Sequence, residues 1–264
     1  MYNESPFISI ITVCYNSEKT IERTIKSVLC QDFKDYEYII VDGASSDRTL
    51  SIIKQYELLF EGRLKLVSES DNGIYDAFTK GSRLATGHFV WIVNSDDYLE
   101  PNALDTIYKA IKDIDKKDIV VSFGMNFRSS DGNKIIQVQR TNKEWCKKNF
   151  ENDSMGVLHP ATIVSKSTYE KTGYYCPEFR IIGDIDWFHR AYARQDVSFF
   201  FRDEVITNMC DGGISNVFDF KKSSKDRKLF LKRKYTNPIR RWFSYLKWVK
   251  LFYSQKRIHE RKVS

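Results

Sequence analysis

The stretch FVWIVNSDDYLEP (Phe89–Pro101) begins like a buried β-strand and then changes abruptly to polar residues. Five of its first six residues are apolar, whereas Asn94, Ser95, Asp96 and Asp97 follow together. A continuous apolar strand is typical of a parallel sheet that is covered on both faces. Two adjacent carboxylates at the end of such a strand repel each other. The stretch therefore predicts both a parallel-sheet core and a cation site at the edge of that sheet.

Strand-like and helix-like segments alternate before this stretch and continue after it. Short β-branched runs predict strands, and apolar residues at helical spacing predict the helices between them. Such alternation predicts an α/β fold with a mainly parallel, Rossmann-like sheet flanked by helices. The predicted strands are 7–13, 36–42, 63–69, 88–93 and 118–125, with more polar ones around 134–140 and 197–209. The predicted helices are 17–31 with Ser17 as a candidate cap, 47–60, 74–85, one that opens at Pro101, and 184–194.

Charge is distributed unevenly along the 264 residues. The formal net charge is +7, but residues 221–262 contain 16 Lys and Arg against only Asp226 and Glu260. The remaining chain is therefore net acidic. This asymmetry predicts a globular domain over residues 1–220 and a basic, amphipathic helical tail over residues 221–264.

The spacing of the cysteines and the lengths of the apolar runs indicate where in the cell the protein is located. The five cysteines form no C-x-x-C pair, so neither a zinc site nor a disulfide framework is indicated. The N-terminal segment has an acidic residue where a signal peptide is basic. No run approaches the roughly 18 apolar residues of a membrane span. We therefore expect a cytoplasmic protein, or one at the cytoplasmic surface of a membrane.

Acidic residues follow several of the predicted strands. Ligands of open α/β sheets bind beyond the carboxyl ends of the strands, so Asp42, Asp47 and Asp71 should join Asp96 and Asp97 on one rim. Asp47 stands just before a helix and is more typical of a cap, but a cap needs one carboxylate and not a pair. Mg²⁺ and Mn²⁺ are held by one or two carboxylates together with water and substrate phosphates. Since no Gly-rich phosphate-binding motif is present, the pair predicts a divalent metal that holds a phosphorylated substrate.

Four ordered segments resemble the family 2 glycosyltransferases with a GT-A fold. They are ISIITVCYNSEKTIERTIKSVLCQ, YIIVDGASSDRT, SESDNGIYDAFTKGSRLATG and VNSDDYLEP, and the resemblance covers roughly residues 6–215. It implies an enzyme that transfers a sugar from a nucleoside diphosphate, commonly UDP, with inversion at the anomeric carbon. It also implies a nucleotide-binding half over residues 1–125 and an acceptor-binding half over residues 126–220.

The resemblance assigns roles to residues of the acidic rim. Asp42 matches the acid at the nucleotide base, Asp96 the residue at the ribose, and Asp97 the ligand of Mn²⁺ or Mg²⁺. Many members have Asp where Asn94 stands, so we expect Asp97 to carry most of the metal coordination. The expected nucleotide-sugar-binding residues are Thr12, Val13, Tyr15, Asp42, Asp71, Lys80, Asn94, Ser95 and Asp96.

An inverting transfer needs a base that removes the proton of the acceptor hydroxyl. The segment RIIGDIDWFHRAYAR (180–194) supplies Asp184 and Asp186, and Asp184 matches the base of the family. A carboxylate at a helix N-terminus is favoured in its charged form, although an ordinary cap looks the same in sequence. The residues expected on the acceptor side are His159, Asp186 and Trp187, with the reservation that a lone histidine is more often structural.

Two further segments leave alternatives open. The paired glycines of CDGGISN (210–216) either let the backbone approach a ligand or form a plain turn. In the tail, five apolar residues at helical spacing lie among basic residues, which is typical of an anchor on an anionic membrane surface. The alternative is a helix that packs this stripe on the catalytic domain. The five residues are Ile239, Trp242, Phe243, Leu246 and Val249.

A membrane-bound tail would imply a glycan or lipid-linked glycan acceptor on the inner face of the cell membrane. By family resemblance, this would fit the synthesis of bacterial surface polysaccharide, such as the O-antigen of lipopolysaccharide, capsule or exopolysaccharide. The alternative function is a non-catalytic nucleotide- or nucleic-acid-binding module that uses the basic tail. Because the acidic rim would repel a polyanion, we expect no nucleic-acid partner. The oligomeric state is left open.

Overall fold

The computed structural model describes residues 5–212 and 219–263, and one mixed sheet organises the described chain. All of the strands predicted from the sequence are present; the bounds of the strand at 36–42 match, and those of the others differ by one to three residues. The strands are β1 (Ile8–Cys14), β2 (Tyr36–Asp42), β3 (Leu64–Ser68), β4 (Phe89–Ile92), β5 (Tyr98–Leu99), β6 (Ile119–Arg128), β7 (Ile135–Gln139), β8 (Thr162–Ser165) and β9 (Ser198–Cys210). Their order is β3-β2-β1-β4-β8-β6-β9-β5, and β7 pairs with β6.

Helices connect and flank these strands. The first of them begins at Ile21, with Thr20 and not Ser17 at its N-cap position, so the predicted Ser17 side-chain cap is wrong. The main-chain carbonyl of Ser17 instead accepts from the Thr20 and Ile21 amides, both at 3.0 Å. The helices are α1 (Ile21–Leu29), α2 (Thr49–Tyr56), α3 (Ile74–Leu84), α4 (Ala103–Ile111), α5 (Lys143–Glu151), α6 (Lys166–Thr172), α7 (Gly183–Tyr192), α8 (Phe220–Lys234) and α9 (Pro238–Val263).

The sheet is parallel in its first part and mixed beyond β4. The pairs β1–β2, β2–β3 and β1–β4 are all parallel, as the continuous apolar strands predicted. The strand predicted at 118–125 is present as β6, but it does not pair with β4, because β8 lies antiparallel between them. The parallel part brings the carboxyl ends of β1, β2, β3 and β4 to one edge, where ligands of such sheets bind.

Both faces of the sheet are covered, which explains why the central strands are apolar without alternation. Neighbouring residues of β1 belong to different buried clusters: Ile10 packs with α1 and α4, and Ile11 packs with α3 and α7. The second cluster also contains Phe230 and Leu231 of α8. The first helix of the basic tail therefore packs into the core together with the strands and helices that precede it.

Helix α9 has two apolar faces. One face packs on α8, where Tyr245 Oη lies 2.7 Å from Ser224 Oγ and the Trp248 and Phe220 ring centroids are 5.8 Å apart. The other face leaves Trp242 and Phe243 58% and 61% exposed. Among the described residues, no helix combines the length and the apolar character that a membrane crossing requires.

Candidate active site

A cavity of about 680 Å³ opens at the carboxyl ends of β1 and β4. Its volume lies within the range of roughly 300 to 1,000 Å³ that is common for small-molecule sites. The ring of Tyr15 stands at this cavity with 65% of its surface exposed, so an apolar face is available to a ligand. The predicted site residues that line the cavity are Val13, Tyr15, Asp71, Asn94, Ser95, Asp96 and Asp97.

Asp42, the residue predicted at the nucleotide base, is completely buried at the end of β2. Its Oδ2 accepts hydrogen bonds from the Ser45 amide (3.0 Å) and from Ser68 Oγ (2.7 Å), and Ser45 Oγ donates to Oδ1. These bonds tie together the segments that follow β2 and β3. The structure therefore shows Asp42 organising the rim from inside the protein.

Two other predicted residues also make contacts within the protein. Thr12 is buried, and its Oγ1 accepts a hydrogen bond from Tyr38 Oη at 3.0 Å, so only its main chain can face a ligand. Lys80 Nζ donates to the Ser70 carbonyl at 2.9 Å and forms an ion pair with Glu69 at 2.9 Å. Lys80 thus holds the loop that leads to Asp71.

Asp47 behaves as the local turn former that its position predicted. Its Oδ1 accepts from the Thr49 amide at 2.9 Å at the start of α2, and its Oδ2 accepts from the Glu18 amide at 3.1 Å. Asp47 also lines the cavity. Its carboxylate links the loop after β1 to the loop after β2.

The adjacent carboxylates at the end of β4 have unequal surroundings. Asp97 is 1% exposed, and it accepts from the Cys210 amide on Oδ1 (3.2 Å) and from Asn94 Nδ2 on Oδ2 (3.3 Å). Asp96 is half-buried and lines the cavity. Burial, joined by the charge of Asp96, raises the pKa of Asp97 well above its usual range, and burial also raises the pKa of Asp96. Burial thus disfavours the ionised form of both carboxyls more than their protein partners favour it.

Helix α1 supplies the protein groups that hold this acidic loop. Arg23 Nη2 donates to the main-chain carbonyl of Asp96 at 2.9 Å, and Thr24 Oγ1 donates to the carbonyl of Asp97 at 2.6 Å. The positive charge of Arg23 lowers the pKa of both carboxyls, but burial has the larger effect. Arg23 is therefore one cation of the site, bonded to the backbone and not to either carboxylate.

The donor set fits a hard divalent metal that is shared with a substrate. Among the described residues, no group of three or more His, Cys, Asp or Glu is arranged to hold a metal on its own. The buried Oδ1 of Asn94 has no hydrogen-bond partner in the described chain, and the same amide donates to Asp97. Two carboxylates and an unpaired amide oxygen match the preference of Mg²⁺ and Mn²⁺, which commonly complete their coordination with water and phosphate.

Asp184 lies at the start of α7, as predicted, and is held through one oxygen. Its Oδ1 accepts from the Ile185 amide at 2.9 Å and lies 3.0 Å from Tyr75 Oη, whereas Oδ2 accepts no hydrogen bond from a described residue. Gly183 permits this approach, since a Cβ there would lie only 2.7 to 2.9 Å from the Tyr75 ring. Tyr75 belongs to the chain segment whose residues 73, 74 and 77 line the cavity. Its contact with Asp184 therefore links Asp184 to the wall of the cavity.

The environment of Asp184 differs from the simple helix N-terminus predicted from the sequence. Burial raises the pKa of its carboxyl, and His159, the Ile185 amide and Tyr75 oppose that effect without cancelling it. Desolvation therefore outweighs the helix N-terminus. A carboxylate with a raised pKa accepts a proton more readily than an exposed one, which suits a general base.

The residues predicted on the acceptor side are separated by the fold. His159 is half-buried beside Phe78 and Tyr175, with its Nε2 3.5 Å from Tyr175 Oη, and burial lowers its pKa. Trp187 is completely buried and donates from Nε1 to the Gly173 carbonyl at 2.6 Å.

Asp186 is 2% exposed and forms ion pairs with Arg190 (3.0 Å) and Arg233 (2.9 Å). Asp186 and Trp187 are therefore buried residues of α7. Their acceptor-side role stays a prediction. Helical geometry puts Asp186 about 200° around α7 from Asp184, on the opposite side of the helix, whereas Trp187 is almost one turn further along and lies on the same side as Asp184.

The order of these features along the chain matches one protein family. The model for glycosyl transferase family 2 matches residues 9–180, which include β1, the acidic pair and the segment up to α7. The chain belongs to glycosyl transferase family 2. This glycosyltransferase is 29% identical to the glycosyltransferase GlyG of Streptococcus pneumoniae serotype 4 over 143 residues. The alignment covers 54% of this chain but only 46% of GlyG.

Solved structures share the fold of this glycosyltransferase. S. aureus TarS 1–349 in complex with UDP-GlcNAc superposes with a TM-score of 0.68 at 22% identity, covering 85% of this chain and 65% of that chain. The mannosyltransferase PcManGT from Pyrobaculum calidifontis, in complex with GDP-Man and Mn²⁺, superposes with a TM-score of 0.63 at 18% identity, covering 88% and 65%. The α/β fold predicted from the sequence is thereby confirmed as GT-A. The chain spans just under two thirds of the length of either solved chain.

Several site residues of the glycosyltransferase were not found by sequence reasoning. Arg23 and Thr24 lie within an amphipathic helix pattern, where basic and hydroxyl residues are normally solvated. Ser17 Oγ lies 2.9 Å from Ser95 Oγ, across the cavity floor from one strand end to the next. Polar residues directly after a strand were the available signal for Ser17, whereas nothing in the local sequence distinguishes Arg23.

The segment CDGGISN (210–216) is partly described. Cys210 and Gly212 line the cavity, and Gly212 has a φ of +106°, a conformation that favours glycine. Residues 213–216 lie outside the described residues.

Proposed function

We propose that this family 2 glycosyltransferase transfers a sugar, with inversion, from a nucleoside diphosphate sugar to a hydroxyl group of a glycan acceptor, and that the nucleotide is UDP. The observation that carries the proposal is the state of Asp184, which has one oxygen held by the protein and the other without a hydrogen bond from any described residue. The UDP-GlcNAc complex of TarS and the GDP-Man complex of PcManGT support a nucleotide-sugar donor.

The donor half of the proposal uses the cavity. The exposed ring of Tyr15 offers a stacking face for a nucleobase, while Asp42 holds the surrounding loops. Asp96 and Asp97 both line the cavity, but Asp97 is 1% exposed and both of its oxygens accept hydrogen bonds, whereas Asp96 is half-buried. We therefore assign the main metal contact to Asp96, with Asp97 and Asn94 in support. When bound, Mn²⁺ or Mg²⁺ would offset the charge that develops on the diphosphate leaving group.

The acceptor half of the proposal uses Asp184. Its free Oδ2 takes the proton of the acceptor hydroxyl while the hydroxyl oxygen attacks the anomeric carbon. The new glycosidic C–O bond forms as the bond to the diphosphate breaks, and the nucleoside diphosphate leaves with the electron pair. Tyr75 and the Ile185 amide keep the other oxygen of Asp184 in place during the transfer. His159 stands nearby as an acceptor-side group.

A thermal-shift panel with UDP, dTDP, GDP and CDP, each with and without Mn²⁺, tests the donor assignment. A ligand that binds only the folded protein stabilises it by about 2.7 kcal/mol at 100 times its Kd. We expect a rise in Tm with UDP that requires Mn²⁺ and is lost in Asp96→Asn. A shift with single-stranded nucleic acid, and none with any nucleotide, would contradict the proposal and favour a binding module that uses the basic tail.

The tail supports a second part of the proposal, binding to an anionic membrane on the cytoplasmic side. Trp242 and Phe243 are exposed on α9, next to Arg240 and Arg241 in the sequence. Aromatic and basic residues together are typical of a helix that lies in the membrane interface. A lipid-linked glycan acceptor in bacterial surface polysaccharide synthesis would fit that location.

Sedimentation with vesicles tests the membrane proposal. We expect the protein to bind vesicles that contain phosphatidylglycerol, and a Trp242→Ala/Phe243→Ala double variant to lose most of that binding. Leu58→Ala is the matched control, because Leu58 is exposed to 89% but lies outside α9. Equal binding by the double variant and the parent protein would contradict the membrane proposal.

A further inference from the structure

A buried carboxylate of α8 binds three main-chain amides in succession. Asp226 is 1% exposed, and its Oδ2 accepts from the amides of Arg180 (2.8 Å), Ile181 (2.6 Å) and Ile182 (3.2 Å). Hydrogen bonds from amides to a carboxylate are about twice as strong as neutral ones. Asp226 is also the only acidic residue between positions 221 and 259 of the basic tail.

The three amides belong to the segment that leads directly into α7. Ile182 is the residue before the first turn of that helix, and Asp184 is the second residue of the helix. The same segment is held from the opposite side, since Tyr75 Oη lies 2.6 Å from the Ile181 carbonyl. Tyr75 Oη is also 3.0 Å from Asp184 Oδ1. A movement of residues 180–182 would therefore move Asp184 relative to Tyr75 and to the cavity.

Helix α8 makes a second contact on the other side of Asp184. Arg233 Nε donates to Asp186 Oδ1 at 2.9 Å, two residues beyond Asp184. The two α8 residues thus bind the chain before and after Asp184, one through the backbone and one through a side chain. The predicted basic tail supplies both contacts, although its composition suggested an appendage.

We propose that Asp226 is a positioning residue that sets the location of Asp184 by fixing residues 180–182. This inference rests on the proposed role of Asp184 as the base. A general base must stand within hydrogen-bond reach of the proton that it removes, and a displacement of about 1 Å can reduce turnover by roughly 100-fold. The hydrogen bonds that Asp226 makes with described residues go to Arg180, Ile181 and Ile182, and none of these lines the cavity. The loss of Asp226 should therefore affect turnover and not nucleotide affinity.

The experiment compares three variants of the full chain. Asp226→Ala removes all three acceptor contacts, and Asp226→Asn keeps one uncharged oxygen at the same place. Asp219→Ala is the matched control, because Asp219 caps the same helix through the Lys222 amide (3.0 Å) but does not bind residues 180–182. Turnover is followed as UDP release from an equimolar mixture of UDP-glucose, UDP-galactose, UDP-GlcNAc and UDP-GalNAc, with water as the acceptor of the sugar and the source of the proton that Asp184 removes. The Kd for UDP with Mn²⁺ and amide hydrogen exchange over residues 180–186 are measured in parallel.

We expect Asp226→Ala to lower kcat at least tenfold with an unchanged Kd for UDP, and to raise the exchange rates of residues 180–186. Asp226→Asn should recover part of kcat, and Asp219→Ala should match the parent protein in both measurements. A parent-like kcat in folded Asp226→Ala, together with an inactive Asp184→Asn, would overturn the positioning role and leave the proposed function intact. A fully active Asp184→Asn would instead overturn the base assignment and, with it, the role of Asp226.

Discussion

The molecule contains two pairs of carboxylates that look alike in sequence and differ in their partners. Each pair has one buried member, Asp97 after β4 and Asp186 in α7, and one half-buried member to which the proposed function assigns a role in the site, Asp96 and Asp184. Asp186 forms ion pairs with two arginines, so its negative charge is compensated within the protein. Within residues 5–212 and 219–263, Asp97 accepts hydrogen bonds from uncharged donors only, and burial raises the pKa values of both Asp96 and Asp97.

The difference shows which pair needs a ligand. A buried carboxylate without a cation is unfavourable, and a bound metal would remove that cost. The Asp184–Asp186 pair needs no further cation, because Arg190 and Arg233 already supply two positive charges. Its site member is then free to exchange a proton. One pair is thus suited to metal and phosphate, and the other to acid–base chemistry.

The largest expected effect comes from the site member of the compensated pair. Asp184→Asn should lower turnover by roughly 10² to 10⁴, the usual contribution of a general base, with UDP affinity unchanged. The measurement is UDP release from UDP-sugars beside calorimetric UDP binding. If folded Asp184→Asn keeps its turnover, Asp184 is not the base, and the Asp184–Asp186 pair does not serve acid–base chemistry.

The next effect concerns the uncompensated pair. Asp96→Asn should weaken UDP binding in the presence of Mn²⁺ by at least roughly 10 to 100-fold, and should change binding without metal much less. Asp97→Asn should weaken it by a smaller factor, because both Asp97 oxygens already accept hydrogen bonds from the protein. A larger loss in Asp97→Asn would return the main metal contact to Asp97, as the sequence resemblance implied.

Substitutions of the two buried members, Asp97 and Asp186, should have different effects on the free energy of unfolding. Asp186→Asn leaves Arg190 and Arg233 without their counter-ion and should lower the free energy of unfolding by about 1 to 3 kcal/mol. Asp97→Asn removes an uncompensated buried charge, so the free energy of unfolding of the metal-free protein should stay the same or rise. Urea unfolding in chelator measures both variants. Equal destabilisation would show that the two buried members are not different in the way proposed.

The smallest expected effect is a shift in the pH dependence of kcat/KM. Because burial raises the pKa of Asp184, the acidic limb of kcat/KM should lie at higher pH than expected for an exposed aspartate. His159, which faces Asp184 together with Tyr75, lowers that pKa, so His159→Gln should move the limb to still higher pH. His88→Gln is the control, since His88 is exposed and lies elsewhere. If the acidic limb of kcat/KM does not move in His159→Gln, His159 does not lower the pKa of Asp184.

Sequence reasoning predicted the parallel half of the molecule well, because its signals are local. Apolar runs gave β1 to β4, and the acidic residues that follow them lie at the strand ends by chain order alone. The later half was predicted less well. The insertion of β8 between β4 and β6 is a long-range pairing, and short strands do not carry information about their neighbours.

The sequence by itself therefore determined the α/β class, the glycosyltransferase family and the acidic residues at the sheet edge, since periodicity and motif order are properties of the chain. Tertiary structure alone decided which member of each carboxylate pair is buried and which pair has counter-ions, because burial and counter-ions come from residues far away along the chain. Arg23 and Cys210 reach the first pair from α1 and β9. Arg233 reaches Asp186 of the second pair, and Asp226 reaches the segment before Asp184, both from a helix whose composition indicated only a basic tail.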